Sequence, residues 1–424
     1  MQHTSHKLKN GLETIISPIR GTEAVTVLFL VRAGSKYETR EESGLSHFLE
    51  HMFFKGTKKR VNTFAISEAL DKVGGIYNAF TGKEYTGFYI KLAHPYLELA
   101  LDVLSDMLIS STFKAKEVER EKGVILEEIK LYQDTPTSYV SELFENLLYG
   151  DTPAGQDIIG TPETVSSFTD KDIKKYLKGH YSSSNSLLIV SGKVDPDKTL
   201  KLTEKYFSAF PKNKTLEKPA VNEKQSKPGF LKFKKKTDQT HLCLGVRSFD
   251  LFSPEKYVLA LLDVVLGGGM SSRLFINVRE RHGLAYYIRS GQETYTDTGY
   301  FMVQAGIAHQ NIKKVVKLIL KEFDQLKKTP IKADELKKAK DYLKGITLLH
   351  LETSDAVALY LAKQKLLRGK ILLPEEVFDL IDSVNEKKLK EISQNIFTNK
   401  NLNLALISPS QISSEIASKL LNLT

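Results

Sequence analysis

Two histidines four residues apart, with a glutamate between them, are the side chains of this sequence best suited to chemistry. They are His47, Glu50 and His51 in the run Ser43-Gly44-Leu45-Ser46-His47-Phe48-Leu49-Glu50-His51-Met52-Phe53. The run reads as a helix with a serine near its start and an apolar stripe of Leu45, Phe48, Leu49, Met52 and Phe53. One helical turn then stacks both imidazoles on the same face, and Glu50, three residues after His47, shares it. Two neutral imidazoles suit zinc; with one carboxylate and a water they make the open four-coordinate site of hydrolytic zinc enzymes. Glu50 is placed to take a proton from the attacking water and pass it to a leaving amine. The bland alternative is a histidine pair on a partly buried helix, with no metal.

The rest of the composition narrows the choices. The only cysteine is Cys243, so a disulfide within the chain and a thiolate zinc site are both excluded. Any metal must rest on histidine and carboxylate. The formal charge of +10 permits contact with nucleic acid, but many of the positive charges fall in lysine-rich helices and a linker, and no RNA-binding aromatic motif, zinc finger or basic zipper accompanies them. No stretch approaches the roughly 20 apolar residues of a membrane span. The start, MQHTSHKLKNGLETI, lacks a secretory or transit pattern. The expected location is the cytoplasm.

These residues must be positioned by a fold that the pattern also outlines. Leu8-Lys9-Asn10-Gly11-Leu12 places an Asn-Gly turn between strand-like stretches. The segment from Pro211 to Phe230 is rich in Lys, Pro and Asn and divides the 424 residues nearly in half. In the first half a strand from Tyr85 to Leu92 precedes helices from about Pro95 to Ser110 and Lys114 to Gln133. In the second, a strand from Thr298 to Ala305 precedes helices from about Asn311 to Lys327 and Lys332 to Leu349. The offset is near 210 residues, so the expectation is an α+β fold of two similar, duplicated domains, each a mostly antiparallel sheet with helices on one face. The expected boundaries are 1–212, a linker 213–229, and 230–424.

The zinc run resembles the pitrilysin and insulinase family of metallopeptidases, whose inverted motif is H-x-x-E-H, and within it the bacterial relatives of the mitochondrial processing peptidases. A distal glutamate in that family follows an E-R-x-x-x-V-I-x-x-E pattern, here Glu119-Arg120-Glu121-Lys122-Gly123-Val124-Ile125-Leu126-Glu127-Glu128. Spacing alone does not choose between Glu127 and Glu128; the resemblance implies Glu128 as third ligand and Glu121 as support for a ligating histidine. It further implies that Asn78, Ala79, Phe80 and Thr81 lie on an edge strand that takes up the substrate as an added strand. Arg279 and Tyr286, seven residues apart, match a pair that holds a substrate carbonyl and donates to the developing oxyanion.

The glycine-rich Gly267-Gly268-Gly269-Met270-Ser271-Ser272-Arg273 lacks the ending of a phosphate loop and reads as a turn opening a helix. His94, His180, His241, His282, His309 and His350 have no ligand spacing among themselves and read as structural or surface residues. By the resemblance, the chain is a zinc endopeptidase with one zinc per chain, acting on unfolded peptides inside a chamber. Longer relatives build that chamber from four such units. With two units, this chain is expected to form a homodimer in which the arginine and tyrosine of one subunit serve the zinc site of the other. The alternatives are a processing-peptidase subunit that needs a partner chain, and a non-catalytic scaffold subunit.

Overall fold

A computed structural model describes residues 1–221, 224–410 and 412–423. Two compact units emerge. The first comprises Met1–Lys130, Gln156–Pro219 and Leu348–Leu373, and the second Leu131–Gly155, Ala220–Thr347 and Pro374–Thr424. Each is a mostly antiparallel sheet packed with helices, so the α+β fold expected from the sequence is the fold observed. The helices expected at Pro95–Ser110, Lys114–Gln133, Asn311–Lys327 and Lys332–Leu349 occupy Leu97–Ser110, Ala115–Gln133, Ile312–Lys328 and Ala333–His350.

In the first unit, strands β1 (Thr4–Lys7), β2 (Glu13–Pro18), β3 (Ala24–Val31), β4 (Ile76–Thr81), β5 (Thr86–Ala93) and β6 (Ser186–Gly192) lie in the order β1-β2-β6-β3-β5-β4. Only β2 and β6 pair in parallel. Asn10 stabilises the β1–β2 connection by accepting the N–H of Leu12 and donating to the carbonyls of Phe207 and Phe210. The central strand β3, AVTVLFLV, is buried nearly end to end. Val25, Val27, Phe29 and Val31 face the main helical layer, which includes Phe48, Leu49 and Met52. Leu28 and Leu30 face the opposite way, against Val357, Leu361 and Ala362.

The second unit repeats the scheme with β7 (Gly229–Phe233), β8 (Thr240–Ser248), β9 (Ala285–Thr294), β10 (Gly299–Ile307) and β11 (Asn403–Ile407), ordered β7-β11-β8-β10-β9. Leu242, Leu244 and Val246 of β8 face the larger helical layer. Cys243 faces the other side, with Val140, Phe144 and Leu148 of the helix Pro136–Tyr149.

Two expectations are therefore corrected. Contiguous domains 1–212 and 230–424 are not the compact units: each unit takes one helical segment from the other half of the sequence. Nor are the helices confined to one face, because the second face of each sheet is covered by that borrowed helix. The physical reason is the same in both cases. A strand apolar on both sides must bury both sides, and the polarity of a linker carries no information about which helix does it. The described residues of the segment 213–228 form no helix or strand; Asn222 and Glu223 lie outside the described residues. Among the described residues no helix is long and apolar enough to cross a membrane.

Leu361 is fully buried in the layer beneath β3. Leu361→Ala should therefore destabilise the first unit by about 2–5 kcal/mol, read as a lower urea midpoint for that unit; a change under about 0.5 kcal/mol would mean that the helix does not belong to its core.

Candidate metal centre

The helix Leu45–Met52 owes its position to both of its sides. Leu45, Phe48, Leu49 and Met52 are buried at 1% exposure or less, leaving His47, Glu50 and His51 at the partly open surface. Its first N–H groups, which have no partner within the helix, are taken up by Glu38: one carboxylate oxygen accepts from Gly44 at 2.8 Å and the other from Ser46 at 2.6 Å. Gly44 enters the helix at φ +94°, and a Cβ there would lie 2.6 Å from the Ile159 carbonyl. Only glycine satisfies both that backbone and that approach.

The helix Ala115–Gln133 supplies the carboxylates. Val118, Ile125 and Ile129 are buried, and Glu121 and Glu128 fall on the flank of that apolar face. One nitrogen of His47, one of His51 and one oxygen of Glu128 all lie within 4.8 Å of one another. Glu128 Oε1 is 3.8 Å from His47 Nε2, and Oε2 is 3.5 Å from His51 Nε2. Glu127 is 73% exposed and paired with Lys130 at 2.7 Å, away from the histidines. Among the described residues this is the one group of three or more His, Cys, Asp or Glu side chains with such convergence.

The donor set fits zinc. Burial, and next the adjacent His51, push the His47 imidazole down to about 3, so near neutrality the ring is uncharged and one of its nitrogens has a free lone pair. Its Nδ1 is buried without a hydrogen-bond partner in the structure. His51 Nδ1–H donates to Glu121 Oε1 at 2.8 Å, which fixes the tautomer and leaves Nε2 directed at Glu128. Burial raises the Glu128 carboxyl, an effect opposed by His51. Two imidazole nitrogens and a carboxylate with room for a further ligand match a catalytic zinc site. Cys243 is buried in the second unit, its thiol pushed up to about 12 by burial.

Glu50 lies on the same side of the helix. Thr81, at the end of β4, donates its hydroxyl to Glu50 Oε2 at 2.5 Å. Burial raises the Glu50 carboxyl, while Thr81 and then His51 pull it down. Of the four residues expected on a substrate strand, Thr81 thus contacts Glu50; Asn78 is exposed, Ala79 buried and Phe80 half-buried. Their strand β4 is the sheet's edge. Arg279 and Tyr286 belong to the second unit. The guanidinium lies 4.8 Å from the centre of the Phe275 ring, and Tyr286 is 74% exposed at the start of β9.

The sequence reading missed three contributions. Glu38 carries no local signal, because its role depends on a loop returning to the helix start. The Thr81 hydroxyl could not be assigned to Glu50 without the sheet. Lys55, 2.6 Å from Glu121 Oε2, could have been found, since it continues the four-residue row His47, His51. Elsewhere, His309 binds Thr240 and the Thr237 carbonyl, His241 meets the Tyr287 hydroxyl, and Gly267 caps the helix Glu255–Leu266.

Comparison with known proteins gives two family matches: Insulinase (Peptidase family M16) over residues 14–162, and Peptidase M16 inactive domain over 167–343. An uncharacterized zinc protease of Bacillus subtilis strain 168 is 36% identical over 95% of this chain and 97% of its own length. One from Rickettsia felis is 34% identical over 96% and 97%. Among solved structures, a protease from Helicobacter pylori superposes with a TM-score of 0.88 at 26% identity, covering 96% of this chain and 99% of its own. A peptidase M16 inactive domain from Pseudomonas fluorescens has the same TM-score at 19% identity, covering 98% and 100%, and shares the fold.

The Glu38 clasp carries a pH signature. Burial pushes its carboxyl up to about 7, although the N–H groups it accepts pull the other way. Between its ordinary value near 4.5 and about 7, the folded chain then holds a proton that the unfolded chain has lost, so this group's contribution to stability falls as pH rises through that window. In metal-free protein, the unfolding free energy of Glu38→Gln relative to wild type should rise by at most ~3 kcal/mol between pH 4.5 and 8. A pH-independent difference in urea unfolding would refute the assignment.

Proposed function

The chain belongs to peptidase family M16, the insulinase family, and from that premise we propose that it is a zinc-dependent endopeptidase whose metal is held by His47, His51 and Glu128. The observation that carries the reading is the convergence of those three side chains from two helices. Relatives described as zinc proteases share 34% and 36% of its residues over nearly its whole length. When bound, zinc supplies Lewis acidity to a water molecule and to the scissile carbonyl.

The chain's own residues do the rest. Glu50 takes a proton from the attacking water and returns it to the leaving amine as the peptide bond breaks. The Thr81 hydroxyl occupies one of its oxygens, so the other is left to face the water. The open edge of β4, with Asn78, Ala79 and Phe80, offers main-chain groups to an extended peptide. A hold of that kind reads backbone more than side chains, which suits unfolded peptides of varied sequence. Arg279 and Tyr286 are assigned to the substrate, the guanidinium to a carbonyl and the phenol to the oxygen on which charge develops; their exposure supports this. The assembly that follows is a homodimer with one zinc per chain, because both the metal-binding residues and the arginine and tyrosine are present in one sequence.

Purified chain incubated with quenched, unstructured peptides should cleave them, lose activity to a chelator and regain it with zinc. Glu50→Gln should lower kcat by at least about 1000-fold while retaining about one zinc per chain. Absence of zinc in the wild type would favour a scaffold subunit, and zinc without cleavage a missing partner chain; gel filtration of the single chain separates a homodimer from either. Thr81→Val should lower kcat/KM on the order of 10-fold with zinc content unchanged, and Thr81→Ser should restore it. Equal activity in Thr81→Val would remove the hydroxyl from the mechanism.

A further inference from the structure

Lys55 lies three residues beyond the histidine helix, yet it is tied to the metal centre. Its Nζ is 2.6 Å from Glu121 Oε2, and the other oxygen of that carboxylate accepts the Nδ1–H of His51 at 2.8 Å. Glu121 is 2% exposed and Lys55 23%. The backbone leaves the helix in a way that holds the lysine there. Lys55 N–H donates to the Met52 carbonyl, and Gly56 turns at φ +131°, where a Cβ would lie 2.6 Å from the Val61 carbonyl. Lys55 therefore extends the spacing of His47 and His51 by one more step of four. Against this row, Glu128 meets His47 and His51, and Glu121 meets His51 and Lys55.

We propose that Lys55 is a positioning residue of the metal centre: it clamps one oxygen of Glu121 so that the other stays on His51, which holds the His51 Nε2 on the metal. The proposal rests on the reading of His47, His51 and Glu128 as zinc ligands. A buried carboxylate oxygen with an ammonium 2.6 Å away in an ion pair has little freedom to leave it, whereas a carboxylate held only by an imidazole N–H has another rotamer available. Outer partners of ligating histidines are worth about 10–100-fold in metal affinity. The alternative is that Lys55 merely adds charge. It predicts the opposite sign, since removing a cation near a dication tightens the binding of that dication.

The test measures zinc affinity in the full chain by competition with a chromophoric chelator, a readout independent of cleavage. Lys55→Met should raise the Kd for zinc about 10-fold, and Lys55→Arg should stay within about threefold of wild type because a guanidinium can hold the same carboxylate. Lys55→Gln, which keeps a donor without the charge, serves if Lys55→Met does not fold, as judged by circular dichroism of the metal-free forms, and carries the same direction. Lys55→Met in a Glu121→Gln background should add no further loss, because the lysine acts through that glutamate. An unchanged or lower Kd on removal of the lysine, or losses that add, overturns the proposal. Wild-type chain that binds no zinc overturns the metal site and this inference with it. Chain that binds zinc but cleaves no peptide overturns the peptidase reading alone, and the affinity comparison still decides the role of Lys55.

Discussion

The candidate metal centre depends on two rows of polar side chains that meet where the helix Leu45–Met52 and the turn after it face the helix Ala115–Gln133. One row, His47, His51 and then Lys55, advances by four residues; the other, Glu121 and Glu128, by seven. Four residues of helix rise about 6 Å and seven about 10.5 Å. The two spacings do not run in step, yet the contacts place each carboxylate against two members of the first row, in the order His47, Glu128, His51, Glu121, Lys55. The order also shows that the two segments run in opposite senses along the contact. Carboxylates half or more out of water are costly without opposite charge or hydrogen-bond donors. At one end Lys55 and His51 provide these for Glu121; at the other the geometry leaves a place for a cation.

Such a contact requires a platform that does not yield. The apolar sides of both helices press into a single core, with Phe48, Leu49 and Met52 from one and Val118, Ile125 and Ile129 from the other, on strands led by Val27 and Phe29. Close packing of that kind resists sub-ångström adjustment, and Glu38 and Gly44 fix the start of the histidine helix against the same body. β4 then arrives at the sheet edge with Thr81 in reach of Glu50. The sheet thus does two jobs. Its interior holds the helices still, and its last strand carries both a hydroxyl for the glutamate and an open main-chain edge.

What was legible in the sequence was local. The spacing of His47, Glu50 and His51 needs only a helical turn to acquire meaning, and the long helices announce themselves by period. Glu128 over Glu127 was not readable from spacing, and the folded helix decides it. Val118, Glu121, Ile125, Glu128 and Ile129 recur on one face at intervals of three and four, whereas Glu127 falls outside that stripe and is in fact solvated. What could not be read was non-local. Nothing in Leu28 or Leu30 specifies that residues 354–368 will cover them, and nothing near Thr81 points to a glutamate 31 positions earlier. A linker marks where polarity changes, but compact units are defined by which apolar surfaces meet.

The two histidines reach their roles by different physics, and the difference organises the site. His47 is kept uncharged by burial, with an Nδ1 that has no hydrogen-bond partner in the structure. Packing restrains its ring, and the side chain is 12% exposed. His51 is more open, 22% exposed against 12%, and its orientation is set by Glu121. Packing is already paid by the fold, so His47 needs no polar support. The more open imidazole of His51 has less of that restraint and is held by a carboxylate, and a carboxylate buried for that purpose needs a cation. Glu121 thus answers the exposure of His51 and Lys55 the burial of Glu121, and the series ends at Lys55 because a lysine can keep its ammonium partly in water while its stem lies against the protein.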